Sequence, residues 1–528
     1  MPQAESVRGS WRLGHGLVIG AILLVAVLAG WWTRAPEVEV GGDEATYLIL
    51  SRSLDQGRYR DEFLQGTPPH AKYPPGMPMW IAAVRRVAGP DLDVVRAGNL
   101  LFLALTALLI GDAVRRLSSP GVGVAGVALT AMSPGLLQFS AMALPEVPFT
   151  FLVAASLWLT LRGNEDPSRK RIAAAMGAAV ASFLVRSAGI TVVAGVLAWL
   201  LLRRRLRAGW VVVLAAGLAI GGWFAYAALA SPASDAGSSY GSDLGEVAST
   251  GPGGLAGLLT QVTRNARRYL LALPESLGVP TLPGTPIDNL IWLFVLVGCG
   301  SVGLAVLLRR WPAAGAHLLL SAVLLLVWPW PVSRLLIPLL PLIGAALLLG
   351  SAMLAGRSGP KTQMIVPIAL AALLSTVGLL GHLARDTYHR CDRRNPYGDS
   401  GCFSPGNRSM VWAARMIRDS APPGTLIATG RPPAVFYFSG RPTLSLSILR
   451  STGETGAVNP DRVWVLLSDL NARERSTARR LRERGCDRFE VRARVPQVIL
   501  LVPREGPPGP GEDACAALQE LVPGAGRR

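Results

Sequence analysis

The sequence predicts a mostly α-helical, polytopic membrane protein with about eleven transmembrane helices, followed by a water-soluble C-terminal α/β domain. Three observations lead there. Half of the 528 residues are hydrophobic and only 16% are charged, a balance too apolar for an ordinary soluble chain of this length. Uncharged runs of about 18 residues, the length needed to cross hydrocarbon as a helix, recur as far as residue 384 with arginine between them. Beyond that point the apolar runs give way to short β-branched stretches and charged helical ones. The net charge of +18 does not indicate nucleic-acid binding. No aromatic-basic platform or base-reading motif accompanies it, and the arginines fall mainly between apolar runs.

The runs lie at 14–32, 93–114, 121–140, 145–161, 172–188, 189–203, 208–230, 287–308, 314–330, 334–355 and 362–384. Basic clusters fall at every second junction: Arg8 and Arg12, Arg115 and Arg116, Arg162 to Arg171, Arg203 to Arg207, Arg309 and Arg310, and Arg357 to Lys361. Positive charge marks the cytoplasmic side, so the N-terminus is predicted inside and the C-terminal domain outside. The first run also has the basic front and apolar centre of a signal peptide. Trp31 and Trp32 stand where small cleavage residues belong, so an uncleaved anchor with interfacial tryptophans is expected.

Residues 1–384 then form a transmembrane domain with two long external loops, 33–92 and 231–286. The second loop carries D-A-G-S-S-Y-G-S-D, a composition suited to a lid. Residues 385–528 form the extracytoplasmic domain. Helical periodicity over 408–419 stops at Pro422-Pro423-Gly424, after which T-L-I-A-T, R-V-W-V-L-L-S and Q-V-I-L-L-V read as strands, with a charged helix around 471–485. Of the five cysteines, Cys299 lies inside an apolar run and reads as a small hydrophobe. The other four lie in the external region, where Cys391 with Cys402 and Cys486 with Cys515 is the preferred pairing; zinc is the competing reading, without C-x-x-C spacing or a local His cluster to support it.

The chemistry concentrates in the first external loop. G-G-D-E-A-T-Y-L-I-L is followed by H-A-K-Y-P-P-G-M-P-M-W. Gly41 and Gly42 allow a tight turn, and Asp43 then starts a helix with Tyr47 on the same face. Asp is a favoured helix cap, yet capping accounts neither for the second carboxylate, Glu44, nor for K-Y-P-P-G.

The D-E pair after the first membrane helix and K-Y-P-P-G before the second resemble the type C glycosyltransferases related to protein O-mannosyltransferases and lipid A aminoarabinose transferases. The resemblance implies that Asp43 is the catalytic base and that Glu146, in M-A-L-P-E-V-P-F, supplies the second acidic residue where many relatives have Asp. It also implies a polyprenyl-phosphate sugar donor, an acceptor hydroxyl at the external membrane face, and inversion at the sugar. P-V-S-R-L-L-I-P-L-L-P is similar to the family's R-x-x-x-P-x-x-P segment. Glu44 is then expected to position substrate or a cation beside Asp43.

General chemistry agrees with this assignment. A carboxylate can take the acceptor's proton, and cations stabilise the negative charge that develops on the departing phosphate. Lys72, Arg186 and Arg334 lie at external ends of membrane runs and are the candidate phosphate ligands. Each also has a plainer reading: Lys72 as a solvated loop lysine, Arg186 as a snorkelling boundary residue, and Arg264, Arg267 and Arg268 as headgroup contacts. An unpaired Arg334 in its apolar surroundings would be costly, which favours a functional partner. Tyr47, His70 and Tyr73 are candidate substrate contacts. No cofactor is expected; a divalent metal held by His70 with Asp43, Glu44 and Glu146 is the alternative, resting on residues far apart in sequence.

Two other classes compete. A lipid-linked-sugar flippase or transporter would share the crossings but place its polar groups near the membrane midplane, whereas these cluster at one face. A membrane-anchored binding protein would act through its C-terminal domain and leave the loop carboxylates without a role. The bilayer is the expected partner in every case, with a lipid-linked donor and an acceptor in the first; no nucleic acid is expected. The alternating basic junctions make a direct test available. In a background lacking Cys299, a cysteine at Arg431 should react with an impermeant maleimide in intact cells, and one at Lys361 only after permeabilisation. Labelling of both from one side would refute the assigned topology.

Overall fold

Inside hydrocarbon no water satisfies peptide N–H and C=O groups, so membrane-length apolar runs become helices. A computed structural model of the chain describes residues 11–41, 43–166, 168–230, 255–279, 286–328, 333–385, 391–446, 462–468, 472–504 and 513–521. Helices occupy all of the apolar runs: Leu13–Trp32, Leu92–Leu117, Pro120–Ala131 with Pro134–Ser140, Glu146–Glu165, Arg169–Val185, Ile190–Leu202, Leu206–Ala230, Pro286–Arg310, Pro312–Val327, Leu340–Ala355 and Pro360–Arg385. Among the described residues, six helices are long and apolar enough to cross a membrane, or up to seven if the pair bent by 51° is one span. Ser187–Leu202 and Pro312–Val327 are apolar but shorter. The stretch D-A-G-S-S-Y-G-S-D, at 235–243, lies outside the described residues.

The chain divides into two compact units, Met1–Arg34 with Ala71–Asp386 and Ala35–His70 with Thr387–Arg528. The first unit buries Ala26, Leu103, Leu136, Leu137, Val147 and Leu340 in a shared cluster. Its outward faces are apolar too. Leu206–Ala230 buries only Gly209 and Ala216 among its residues and exposes Trp210, Val211, Leu214 and Leu218, as a helix facing acyl chains does. Some buried polar groups of this unit bond across helices: Trp311 Nε1 donates to the Leu157 carbonyl at 2.8 Å, and Ser321 Oγ donates to Thr191 Oγ1 at 3.1 Å.

The second unit is an α/β layer structure. Its strands are β1 (Leu426–Thr429), β2 (Thr443–Ser445), β3 (Val463–Ser468), β4 (Phe489–Val495) and β5 (Val498–Pro503), in the order β2-β1-β3-β5-β4. β1 pairs in parallel with β2 and β3, whereas β5 is antiparallel to β3 and β4. The expected strands are β1, β3 and β5. β2 was missed because it is three residues long; β4, F-E-V-R-A-R-V, was also missed, although it carries the period-2 alternation of a half-buried strand. One sheet face packs Ile427, Leu466 and Leu500 on Met410, Val411 and Ile417 of the helix Pro405–Ser420. The other packs Val465, Ile499 and Leu501 on Ala478 of Ala472–Arg484 and Leu518 of Ala514–Leu521. Both apolar faces are thereby covered.

Residues 35–70 are built into this unit. Val40 lies in the first of those two cores, 2% exposed; burying a valine contributes about 1.5–3 kcal/mol. The Phe63 carbonyl accepts from Thr443 N at 2.8 Å, and Thr443 O accepts from Gln65 N at 3.2 Å, which lengthens the β2 edge. Tyr397 donates its hydroxyl proton to the Val38 carbonyl.

Both expected disulfides, Cys391–Cys402 and Cys486–Cys515, are formed. The second closes a 29-residue separation between Ala514–Leu521 and the end of Ala472–Arg484. Non-reducing digests should yield both linked peptides, and the pair Cys486→Ser with Cys515→Ser should lower the stability of this unit by about 2–4 kcal/mol. Four free thiols in freshly isolated membranes would refute the pairing.

Candidate functional site

In the first unit the site is organised by Glu146. The segment before it is pinned by Asn99, whose buried Nδ2 donates to the Met142 carbonyl at 2.6 Å. Pro145 then caps the helix Glu146–Glu165, so Glu146 enters the first turn, where unpaired backbone N–H groups favour negative charge. Its side chain is 0% exposed. Oε1 accepts from Arg186 Nη1 at 2.7 Å and lies 3.4 Å from Arg334 Nε. Oε2 is buried without a hydrogen-bond partner among the described residues.

Both arginines are delivered by interruptions of helical structure. Arg186 is the extended C-cap of Arg169–Val185 (φ −153°, ψ 127°), ahead of the 3₁₀ turn Ser187–Gly189. Arg334 lies in the 3₁₀ segment Ser333–Leu339, which leads into Leu340–Ala355. The guanidiniums are partly accessible, 13% for Arg186 and 27% for Arg334. Three of the candidate residues are therefore one ionic cluster. K-Y-P-P-G is anchored on the same element as Arg186. A Cβ on Gly76 would stand 2.7 Å from the Leu184 carbonyl carbon and oxygen and 2.8 Å from Val185 N, so this approach requires glycine. Lys72 and Tyr73 lie partly exposed just ahead of that contact.

In the second unit Asp43 is the N-cap of Glu44–Asp55, and its carboxylate makes no capping hydrogen bond. The Asp is therefore not explained as a cap. Glu44 is 1% exposed and Tyr47 3%; the Glu44 Oε2 accepts from Glu39 N at 3.0 Å and closes the loop that leads to Asp43. His70 is buried, with Nδ1 bonded to Asp61 Oδ1 at 2.6 Å and its ring edge-on to Tyr59, holding the turn in which Arg60 bridges Pro69. Among the described residues no three His, Cys, Asp or Glu side chains gather as a metal ion requires.

The structure adds residues that the sequence did not single out. Arg431 Nη1 donates to the Val40 carbonyl at 3.1 Å. Burial, then the Glu44 charge, hold the Glu39 carboxyl above the ordinary range, with Arg431 opposing them. Arg52 lies over the ring of Tyr437, 5.2 Å from its centroid, and burial first, then the Glu37 charge, raise that phenol above its usual value. No local signal marks these groups, because each acts across a long stretch of sequence.

Comparison with known proteins agrees with this architecture. Residues 72–224 match the sequence family described as dolichyl-phosphate-mannose-protein mannosyltransferase, a span that includes Lys72, Glu146 and Arg186. No curated protein matches by sequence. The structure is similar to ArnT from Cupriavidus metallidurans in the apo state, with a TM-score of 0.56 at 14% identity over 93% of this chain and 98% of that one. The same enzyme bound to undecaprenyl phosphate gives 0.55, at the same identity and coverage. The Archaeoglobus fulgidus oligosaccharyltransferase in complex with Zn and sulfate gives 0.55 at 11% identity, over 89% of this chain and 71% of that one. The chain has the type C glycosyltransferase fold.

The ionic cluster sets a stability expectation. Glu146→Gln keeps the side-chain shape but leaves two guanidiniums without their counter-charge, and breaking a buried pair costs about 3–5 kcal/mol. Asp43→Asn should not show the cost of about 1 kcal/mol that loss of a helix cap carries, since its carboxylate makes no capping bond. Thermal unfolding in detergent separates the two; equal stability of Glu146→Gln and the parent would show that the arginines are balanced elsewhere.

Proposed function

We propose that this chain of type C glycosyltransferase fold transfers a sugar from a polyprenyl-phosphate donor to an acceptor hydroxyl at the external membrane face, with inversion. The observation that carries the reading is the buried Glu146 carboxylate holding Arg186 and Arg334. Two guanidiniums that meet on one buried carboxylate and stay partly accessible gather cationic groups beside the membrane helices, suited to a lipid-linked phosphate. Undecaprenyl phosphate binding by the structurally similar ArnT supports that donor class. Glu146 thus acts by positioning the arginines, and Lys72 adds a third cation to the donor phosphate.

In the proposed step the acceptor oxygen attacks the anomeric carbon as the bond from that carbon to the phosphate oxygen breaks. The electron pair leaves with the phosphate, whose growing charge the cations stabilise, and the acceptor proton passes to the Asp43 carboxylate. Glu44 shapes the loop that presents Asp43, and Tyr47 and Tyr73 are assigned to the substrate. His70 supports the loop from within. The route contains no metal-dependent step. Placement of the second unit outside the cytoplasm is supported by its two disulfides, which persist in oxidising compartments, and by the alternation of basic junctions.

The purified protein in nanodiscs, given a panel of undecaprenyl-phosphate-linked sugars and membrane extract as acceptor, should yield a sugar-modified product by mass spectrometry. Asp43→Asn should lower its turnover on the order of 10²–10⁴-fold while undecaprenyl phosphate binding survives. Arg334→Ala and Lys72→Ala should weaken that binding as well. Near-normal transfer by Asp43→Asn would show that Asp43 is not the base.

A further inference from the structure

Glu39, Val40, Asp43 and Glu44 belong to one short loop, and within the second unit that loop meets the end of the α/β sheet. Arg431 follows β1, the strand at which the parallel sheet extends in both directions, to β2 on one side and β3 on the other. In open α/β sheets the carboxyl ends of strands beside such a point are where ligands are received. Here Arg431 contacts the protein's own loop. Its Nη1 donates to the Val40 carbonyl at 3.1 Å, and a Cβ on Gly41 would lie 3.5 Å from that nitrogen and 3.7 Å from Glu39 Oε1.

On its other side Arg431 is backed by Glu474. The Glu474 Oε1 lies 4.0 Å from Arg431 Nε, and its side chain is 0% exposed. Its Oε2 accepts from Ser468 N at 2.6 Å and from the Ser468 hydroxyl, tying it to the end of β3. A Cβ on Gly430 would stand 2.3 Å from Glu474 Oε1, so glycine there gives the carboxylate its place beside Arg431. Hydrogen bonds and one ion pair thus link Ser468 to Glu474, Glu474 to Arg431 and Arg431 to the Val40 carbonyl, and a separate bond links Glu39 N to Glu44, the neighbour of Asp43. The helix Pro432–Ser439 begins directly after Arg431 and packs on Glu44–Asp55, the helix that Asp43 caps.

We infer that Arg431, braced by Glu474, is a positioning residue for Asp43: the sheet of the C-terminal domain serves as the platform that fixes the loop bearing the general base. This rests on the assignment of Asp43 made above. It gives the domain a part in the transfer step that does not depend on its binding the acceptor. A truncated or slackened platform leaves the donor phosphate contacts on the first unit intact and misplaces only the base, so the effect falls on turnover rather than on donor affinity.

The test compares Arg431→Gln, Arg431→Lys and Glu474→Gln with Asp43→Asn in the full-length protein in nanodiscs. It measures turnover on whichever undecaprenyl-phosphate-linked sugar supports transfer, undecaprenyl phosphate affinity, and hydrogen exchange of residues 37–47. Arg431→Gln should lower kcat by about 10- to 100-fold with affinity unchanged within about twofold, and accelerate exchange in 37–47. Arg431→Lys keeps the charge and should recover most of the rate; Glu474→Gln should lie between. Combined with Asp43→Asn, Arg431→Gln should add little, because the base it positions is already gone. If Asp43→Asn slows transfer and a folded Arg431→Gln does not, the positioning role is refuted while the base assignment stands. If Asp43→Asn is itself active, the base assignment fails. Should Arg431→Gln not fold, Glu474→Gln decides: parental kcat and parental exchange in 37–47 would overturn the inference.

Discussion

A carboxylate shut away from water must be held by cations or it loses its charge, and Glu146 is in that position. Removing an ion from water costs several kcal/mol before any partner is supplied, so the Glu146 side chain constrains everything placed around it. Asn99 fixes the chain ahead of it. Arg186 and Arg334 must then come to it, and both do so where regular helix stops. An uninterrupted helix through residue 186 would continue the ladder and carry the guanidinium around the helix axis. The break leaves Arg186 extended and aimed at Glu146. The helix interruptions at Arg186 and Arg334 are therefore part of the electrostatics of this bundle.

The second unit solves a different problem. A loop that carries a candidate base must be held to within a fraction of an ångström to serve as one, although loops in water are soft. Residues 35–70 obtain rigidity from the α/β sheet: Val40 is buried in its core, Thr443 pairs with the loop backbone, and Arg431 ties the loop to the sheet end. Two disulfides restrain the same unit from elsewhere.

Much of this was legible in the sequence because the signals are local. Bilayer thickness fixes the length of an apolar run, and basic residues mark its ends. β1, β3 and β5 show as apolar stretches bounded by turns, and an even number of cysteines in one region pointed to disulfides, in the pairing that was preferred. Asp43 and Arg334 stood out as polar residues in places where a capping or apolar role does not account for them, Arg186 also read as a boundary residue, and Glu146 was marked by the family resemblance. Gly76 was visible as the end of K-Y-P-P-G, though its contact with Leu184 and Val185 was not. Conversely, β2 is too short to show a period, and the boundary expected between the runs at 188 and 189 gave no sign of the extended residue and 3₁₀ turn found there.

What the sequence determined by itself is the solvent of each part: which segments are apolar enough for lipid, which end must bear charge, and which types of side chain are available for acid-base and phosphate chemistry. The tertiary structure alone decided which of those groups are partners. Arg186 and Arg334 meet on one oxygen of Glu146, Asp43 holds a cap position without a capping bond, and Arg431 lies against a loop that precedes it by almost 400 residues (391 to Val40). Pairing of this kind depends on distances in space, and a buried charge takes whichever counter-ion the fold brings within reach.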